Sequence, residues 1–117
     1  MTFRTLIAAS ILLSSLFAAE EPSRTRQPVQ KPGEHLVIQK DRAFSVTELT
    51  IKPGESVVFW NADEVPHNVF SNSNGMQFDI RRQAPGESST VPFPKEGVAE
   101  VRCAIHPKMK LIVTVKK

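Results

Sequence analysis

From Glu34 onward, the apolar residues come in short runs, and the breaks between them carry proline, glycine or both. Pro53-Gly54-Glu55 and Pro85-Gly86-Glu87 are the plainest breaks, and residues 94–97 make another. Proline presets φ for a turn, and glycine takes positive φ without a steric penalty. No run between these breaks carries the 3.6-residue apolar period of a convincing helix. A chain punctuated in this way is confined to short strands, and short strands must pair and stack to bury their apolar faces.

The expected strands cover residues 35–39, 44–52, 56–61, 67–71, 88–93, 98–103 and 111–115. Residues 76–83 form either a further strand or an irregular crossing segment. In 44–52 the alternation Phe44, Val46 changes phase to Leu49, Ile51, which suggests a bulge near Thr47-Glu48. Residues 56–61 hold Val57, Val58, Phe59 and Trp60, so that strand is apolar on nearly both faces. Residues 98–103 put Ala99, Val101 and Cys103 on one face and Glu100 and Arg102 on the other. Leu111, Val113 and Val115 face inward from the last strand. Seven to eight strands at this spacing predict an all-β fold, a Greek-key two-sheet antiparallel β-sandwich. The chain of 117 residues has room for one such domain.

The domain is expected at residues 34–117. Residues 1–19 read as a signal peptide. Arg4 gives the positive start, the stretch from Leu6 to Phe17 is mostly apolar, and Ala18 and Ala19 offer a small-residue exit. The apolar stretch is short for a membrane span, so stable membrane insertion is not expected, with an uncleaved anchor as the alternative. Residues 20–33 are proline-rich and polar, and read as a flexible arm. The domain is thus expected to be periplasmic or otherwise exported. Fifteen basic and twelve acidic residues are scattered and give a net charge of +3, which argues against nucleic acid as the partner. The single cysteine excludes an internal disulfide, and without C-x-x-C-H a covalent haem of the usual kind is not expected.

That cysteine opens Cys103-Ala104-Ile105-His106-Pro107-Lys108-Met109, with the spacing C-x2-H-x2-M. Taken singly, each residue has a plainer reading. Cys103 fits a small buried hydrophobe and Met109 a core methionine. Together, a thiolate, an imidazole and a thioether on one turn suit copper. The set needs a fourth donor, and His67 in Val65-Pro66-His67-Asn68-Val69 is the candidate. His35 starts the first strand and reads as a surface residue, while Met76 reads as packing.

The run Leu49-Thr50-Ile51-Lys52-Pro53-Gly54-Glu55-Ser56-Val57-Val58-Phe59-Trp60-Asn61, then Pro66-His67-Asn68-Val69, residues 93–97 and the loop 103–109 with its closing strand together carry a resemblance. Over residues 36–117 the chain resembles the blue (type 1) copper proteins, the cupredoxins of the plastocyanin and amicyanin group. The short ligand loop looks most like that of amicyanin. The resemblance implies one copper ion, with His67, Cys103 and His106 as equatorial ligands and Met109 as the weak axial one. It further implies that Asn68 tethers the ligand loops and bonds the cysteine sulfur through its backbone N–H. Val101 stands where the family often has an aromatic residue, and residues 71–90 match weakly.

Four protein donors leave no open position for a substrate, so no enzymatic activity is expected. The expected function is one-electron transfer between redox partners, with a periplasmic copper carrier or scavenger as the alternative. Zinc accepts two histidines and a cysteine, but the soft thioether argues against it. A multicopper oxidase or nitrite reductase would need further histidine clusters, and only His35 is left over. The expected docking patch is the edge of His106 framed by Pro66, Ile105 and Pro107. Lys108 and Lys110, with Arg81 and Arg82, are candidates for a basic rim. The amicyanin resemblance suggests a c-type cytochrome or a dehydrogenase as partner, and the chain is expected to act as a monomer.

Overall fold

The computed structural model describes residue 2 and residues 26–117. Thr2 aside, the expected signal lies outside the described residues, as does the first part of the expected arm, residues 20–25. Residues 26–33 form no strand. Nine strands follow: β1 (Glu34–Lys40), β2 (Ala43–Phe44), β3 (Glu48–Ile51), β4 (Ser56–Asn61), β5 (His67–Ser71), β6 (Phe78–Gln83), β7 (Ser88–Pro92), β8 (Gly97–Cys103) and β9 (Lys110–Val115). They make two sheets, with strand orders β2-β1-β4-β7 and β3-β9-β8-β5-β6.

Nine strands exceed the seven to eight expected, because the segment read as one bulged strand is two. Asp41 and Arg42 have φ of 52° and 56°, and Lys40 pairs with Ala43 across them. Two consecutive positive φ values give the hairpin turn whose twist suits antiparallel strands. The usual Asn-Gly or Asp-Gly signal is absent here, so the hairpin was not legible. Ser45 then fixes the turn-off point, since its N–H donates to Ile38 O (2.7 Å) and its Oγ accepts from Ile38 N (2.9 Å). The chain leaves the first sheet there and joins the second at β3. Phe44 is buried in one sheet and Ile51 in the other, with Val46 exposed between them. The change of apolar phase at Thr47-Glu48 thus follows a change of sheet.

The same excursion corrects the all-antiparallel expectation. β1 and β4 pair in parallel, from Glu34↔Ser56 to Gln39↔Asn61. β3 and β9 are also parallel, Glu48↔Ile112 to Ile51↔Val115. Parallel neighbours need a crossover of a dozen or more residues. Residues 41–55, which visit the second sheet and return, supply it for the first pair.

The inward faces are those the alternation predicts. Ala99, Val101 and Cys103 of β8 face the core with Leu111, Val113 and Val115 of β9, in the register Ala99↔Val113 and Val101↔Leu111. Phe59 centres the opposite sheet, with ring centroids 6.3 Å from Phe44 and 6.2 Å from Phe78. Met76 packs in this core as expected, against Gly97. Residues 78–83 of the doubtful segment are a strand. Between Asn68↔Arg82 and Phe70↔Asp79 the β6 side carries one residue more than β5, and Arg81 has φ of 66°. Asp79 Oδ1 accepts the Arg81 N–H at 2.7 Å and so holds this bulge.

One end of the sandwich is polar inside. Gln39, Asn61 and Gln83 are buried from β1, β4 and β6. Gln39 Nε2 donates to Gln83 Oε1 (2.6 Å), Gln83 Nε2 to Phe59 O (2.9 Å), and Asn61 Nδ2 to Gln83 O (3.0 Å). These bonds tie the two sheets together. Buried amides that find such partners favour one packing over looser ones.

Candidate metal centre

Cys103 is the last residue of β8, paired with Val69 of β5. The inward phase of Ala99 and Val101 carries its thiol to the core side, where it is 2% exposed. β5 begins at His67, paired with Gln83, and the imidazole is fully buried. After Cys103 the chain bends outward through residues 104–108 and returns at β9. The Met109 N–H donates to His106 O at 3.0 Å and closes that loop. Arg102, on the outer face of β8, braces it from the side by donating to Pro107 O (2.9 Å) and Glu100 Oε1 (2.7 Å).

These elements bring three donor atoms together. Cys103 Sγ lies 3.8 Å from His67 Nδ1 and 3.8 Å from His106 Nδ1. The two Nδ1 atoms are 3.1 Å apart. Among the described residues they form one cluster able to hold a metal. Edges of this size are what three donors present around one ion with bonds of roughly 2.0–2.3 Å. Met109, the residue before β9, is buried in the same core cluster as Cys103. The donor set therefore fits a soft or borderline ion, and the buried thioether favours copper over zinc.

Hydrogen bonds orient the donors. The Asn68 backbone N–H points at Cys103 Sγ, 3.3 Å away. The Asn68 side chain goes elsewhere, with Nδ2 donating to Asp79 Oδ1 at 2.8 Å. It ties β5 to the bulge of β6, and the link to the cysteine runs through the backbone. His67 Nε2 lies 3.0 Å from Asp63 Oδ2. Burial pushes the Asp63 carboxyl up, but the Arg42 N–H, the His67 ring and the Glu64 N–H together outweigh it and hold its pKa at about 2. The His106 ring is pushed below the usual histidine range by burial, then by His67 and Arg42, with Asp63 opposing.

Of the residues expected from the sequence, His67, Cys103 and His106 meet at one point, and Met109 is buried nearby. Ile105 is 48% exposed, and Pro107 and Lys108 are exposed beside it. A shallow hollow there is lined by Arg42, Ile105, His106, Pro107 and Lys108. Pro66, expected in this frame, is half-buried and does not line the hollow; Arg42 takes part instead, delivered by the β1–β2 hairpin. His35 is not a free surface residue, since it is half-buried with Nε2 3.3 Å from Glu55 Oε1. Asp63, Arg42 and Arg102 were missed in the sequence. Only Asp63 left a signal there: an acid four residues before a histidine, across the turn that contains Pro66.

A two-sheet sandwich with a buried thiol, two imidazoles and a buried thioether at one end has the arrangement of a type 1 copper protein, a cupredoxin. The chain belongs to the copper binding proteins of the plastocyanin/azurin family, which it matches over residues 34–116. It is 32% identical over 122 aligned positions to a pseudoazurin of Methylorubrum extorquens, covering 98% of this chain and 77% of that protein. An amicyanin-alpha of the same organism is 33% identical over 76 positions, 62% of this chain and 64% of that one. Ginkgo biloba plastocyanin is 33% identical over 86 positions, covering 62% and 87%. Among solved structures, a purple cupredoxin from Nitrosopumilus maritimus superposes with a TM-score of 0.62 at 29% identity, over 70% of this chain and 99% of that one. A Cu(I) amicyanin variant superposes with a TM-score of 0.68 at 21% identity, covering 74% and 86%, which speaks for the fold. Copper is the cofactor of this family, and the four side chains are positioned as a type 1 copper site.

Proposed function

We propose that this chain is an exported one-electron carrier, with His67, Cys103 and His106 as equatorial copper ligands and Met109 as the axial one. The observation that carries the proposal is a donor cluster buried on every side except one. Cys103, His67 and Met109 have almost no exposed surface, while His106 is half-buried beside the Arg42–Ile105–Pro107–Lys108 hollow. Bound there, copper supplies a one-electron couple. The protein's part is to hold the donors still. β5 and β8 fix His67 and Cys103 through their pairing at Val69↔Cys103. The Asn68 N–H supports the sulfur, and the Met109–His106 bond keeps the loop closed. Donors held this way need little rearrangement when the charge changes, which favours rapid exchange. With all four positions taken by side chains, the site has no place for a substrate, and we propose no enzymatic activity.

Ile105 and Pro107 make a small apolar patch at the His106 edge, with Arg42 and Lys108 as a basic rim. Weak redox encounters use small contact areas, and a basic rim steers an acidic partner. The proposed partners are redox proteins, with a c-type cytochrome or a dehydrogenase as the first to try. Residues 1–19 are proposed to direct export to the periplasm and residues 20–33 to act as an arm outside the domain 34–117. Among the described residues, no helix is long and apolar enough to cross a membrane.

The test is copper retention through redox cycles. Copper-loaded protein is reduced and reoxidised repeatedly beside a Cu(I) chelator. The carrier of electrons keeps its copper and its colour through the cycles. Release of copper to the chelator at the first reduction would replace this reading with metal delivery.

A further inference from the structure

His67 is fully buried, so its ring orientation and tautomer are set by the protein alone. One ring nitrogen, Nδ1, points to Cys103 and His106. The other, Nε2, meets Asp63 Oδ2 at 3.0 Å. A carboxylate only accepts, so this contact is a hydrogen bond only with a proton on Nε2, and in the neutral ring that leaves the Nδ1 lone pair directed at the cluster. Asp63 is itself fixed from three sides. Its Oδ2 also accepts the Arg42 N–H at 2.9 Å, its Oδ1 accepts the Glu64 N–H at 2.9 Å, and its own N–H donates to Asn61 Oδ1 at 3.0 Å. Asn61 in turn is anchored to Val65 O and Gln83 O. The acid is therefore part of a built framework that runs from the β1–β2 hairpin through β4 to β6.

We infer that Asp63 is a positioning and tuning residue for the metal centre: it locks the His67 tautomer through Nε2 and makes that imidazole a stronger donor than a neutral partner would. This rests on His67 being a ligand, as proposed above. A charged acceptor on the far nitrogen raises the basicity of a ligating imidazole. The stronger donor favours the more highly charged metal, so Asp63 lowers the reduction potential of the site and tightens its hold on Cu(II). The competing role is purely structural, with Asp63 holding the 62–66 turn against Arg42.

Asp63→Asn in the full chain separates the two. The variant keeps the size of the side chain and removes its charge. A tuning role predicts a copper protein that keeps its sulfur-to-copper colour, has a higher reduction potential and binds Cu(II) about 10–100-fold more weakly in chelator competition. An unchanged potential with affinity within a factor of two would overturn the inference, even if the melting temperature falls. A second measurement needs no variant. In the Cu(I) form of the unaltered chain, nitrogen-resolved NMR is expected to find the His67 proton on Nε2 and slow to exchange with water. A proton on Nε2 that exchanges freely with water would refute the lock by Asp63 while leaving the ligand reading intact, whereas a proton on Nδ1 would remove that nitrogen as a copper donor and overturn both readings. If the unaltered chain takes up no copper, both readings fail together.

Discussion

His67 and His106 offer the same ring nitrogen to the same thiol, at the same 3.8 Å. Their surroundings are opposite. His67 opens a strand, has no exposed surface and has its outer nitrogen held by an acid that three backbone bonds fix. His106 sits in an outward loop, is half-buried, and among the described residues its Nε2 has no hydrogen-bond partner. The site thus divides two tasks that conflict within one residue. Rigidity needs buried, satisfied polar groups, and access for a partner needs an edge left open. In the proposed function, His67 on β5 takes the first task and His106 in the loop 104–108 takes the second.

The largest effect is expected from removing what both histidines share. Cys103→Ser abolishes the sulfur-to-copper colour entirely and leaves a folded sandwich by circular dichroism; a variant that stays coloured would remove Cys103 from the site. The two histidines then separate by stability. In the metal-free protein, His67→Ala is expected to cost about 2–4 kcal/mol, from a cavity and an acid left without its partner. His106→Ala is expected to cost no more than about 0.5 kcal/mol, as for a surface side chain. Equal losses in urea unfolding would mean that the two rings are held alike. Met109→Leu keeps the copper and raises the potential by voltammetry, because the lost thioether helped Cu(II) more than Cu(I).

The exposed side has its own test. Replacing Arg42 and Lys108 together by Glu is expected to slow reduction of ferricyanide, a small anion, by about tenfold at low salt, and the deficit should shrink as salt rises. An unaffected rate would mean that electrons do not leave beside these cations. The smallest effect falls at the bulge behind Asn68. The Asp79 carboxyl is held below the ordinary value of 3.8 by the Arg81 N–H and the Asn68 side chain, against burial. Its contribution to stability is therefore full above that value and is lost as the pH falls through its lowered folded value. Asp79→Asn should flatten the acid limb of the stability curve slightly, measured by thermal melts from about pH 5 downward.

The donors were legible because soft ligand types at C-x2-H-x2-M are rare by accident and because strict alternation placed Cys103 inward. The inward faces of β8 and β9 were readable for the same reason: a period of two is unambiguous where one face is buried. What hid was what depends on partners distant in sequence. The Asp41-Arg42 hairpin uses positive φ without glycine, so its turn left no residue signature. The sheet change after Phe44 imitates a bulge, since both shift the apolar phase by one residue. Gln39, Asn61 and Gln83 read as polar strand ends, and only the fold shows that they bond to one another. Asp63 gave a spacing and no more, because a loop acid before a histidine is ordinary until the ring is seen to be buried.

One copper ion is proposed to sit among His67, Cys103, His106 and Met109 and to change charge there without leaving. A visible spectrum of the full chain with one equivalent of Cu(II), recorded before and after reductant and again after reoxidation, tests it most directly. The expected spectrum shows an intense sulfur-to-copper band that bleaches and returns at its original strength. A chain that stays colourless with Cu(II), or a band that returns only when fresh copper is added, would contradict it.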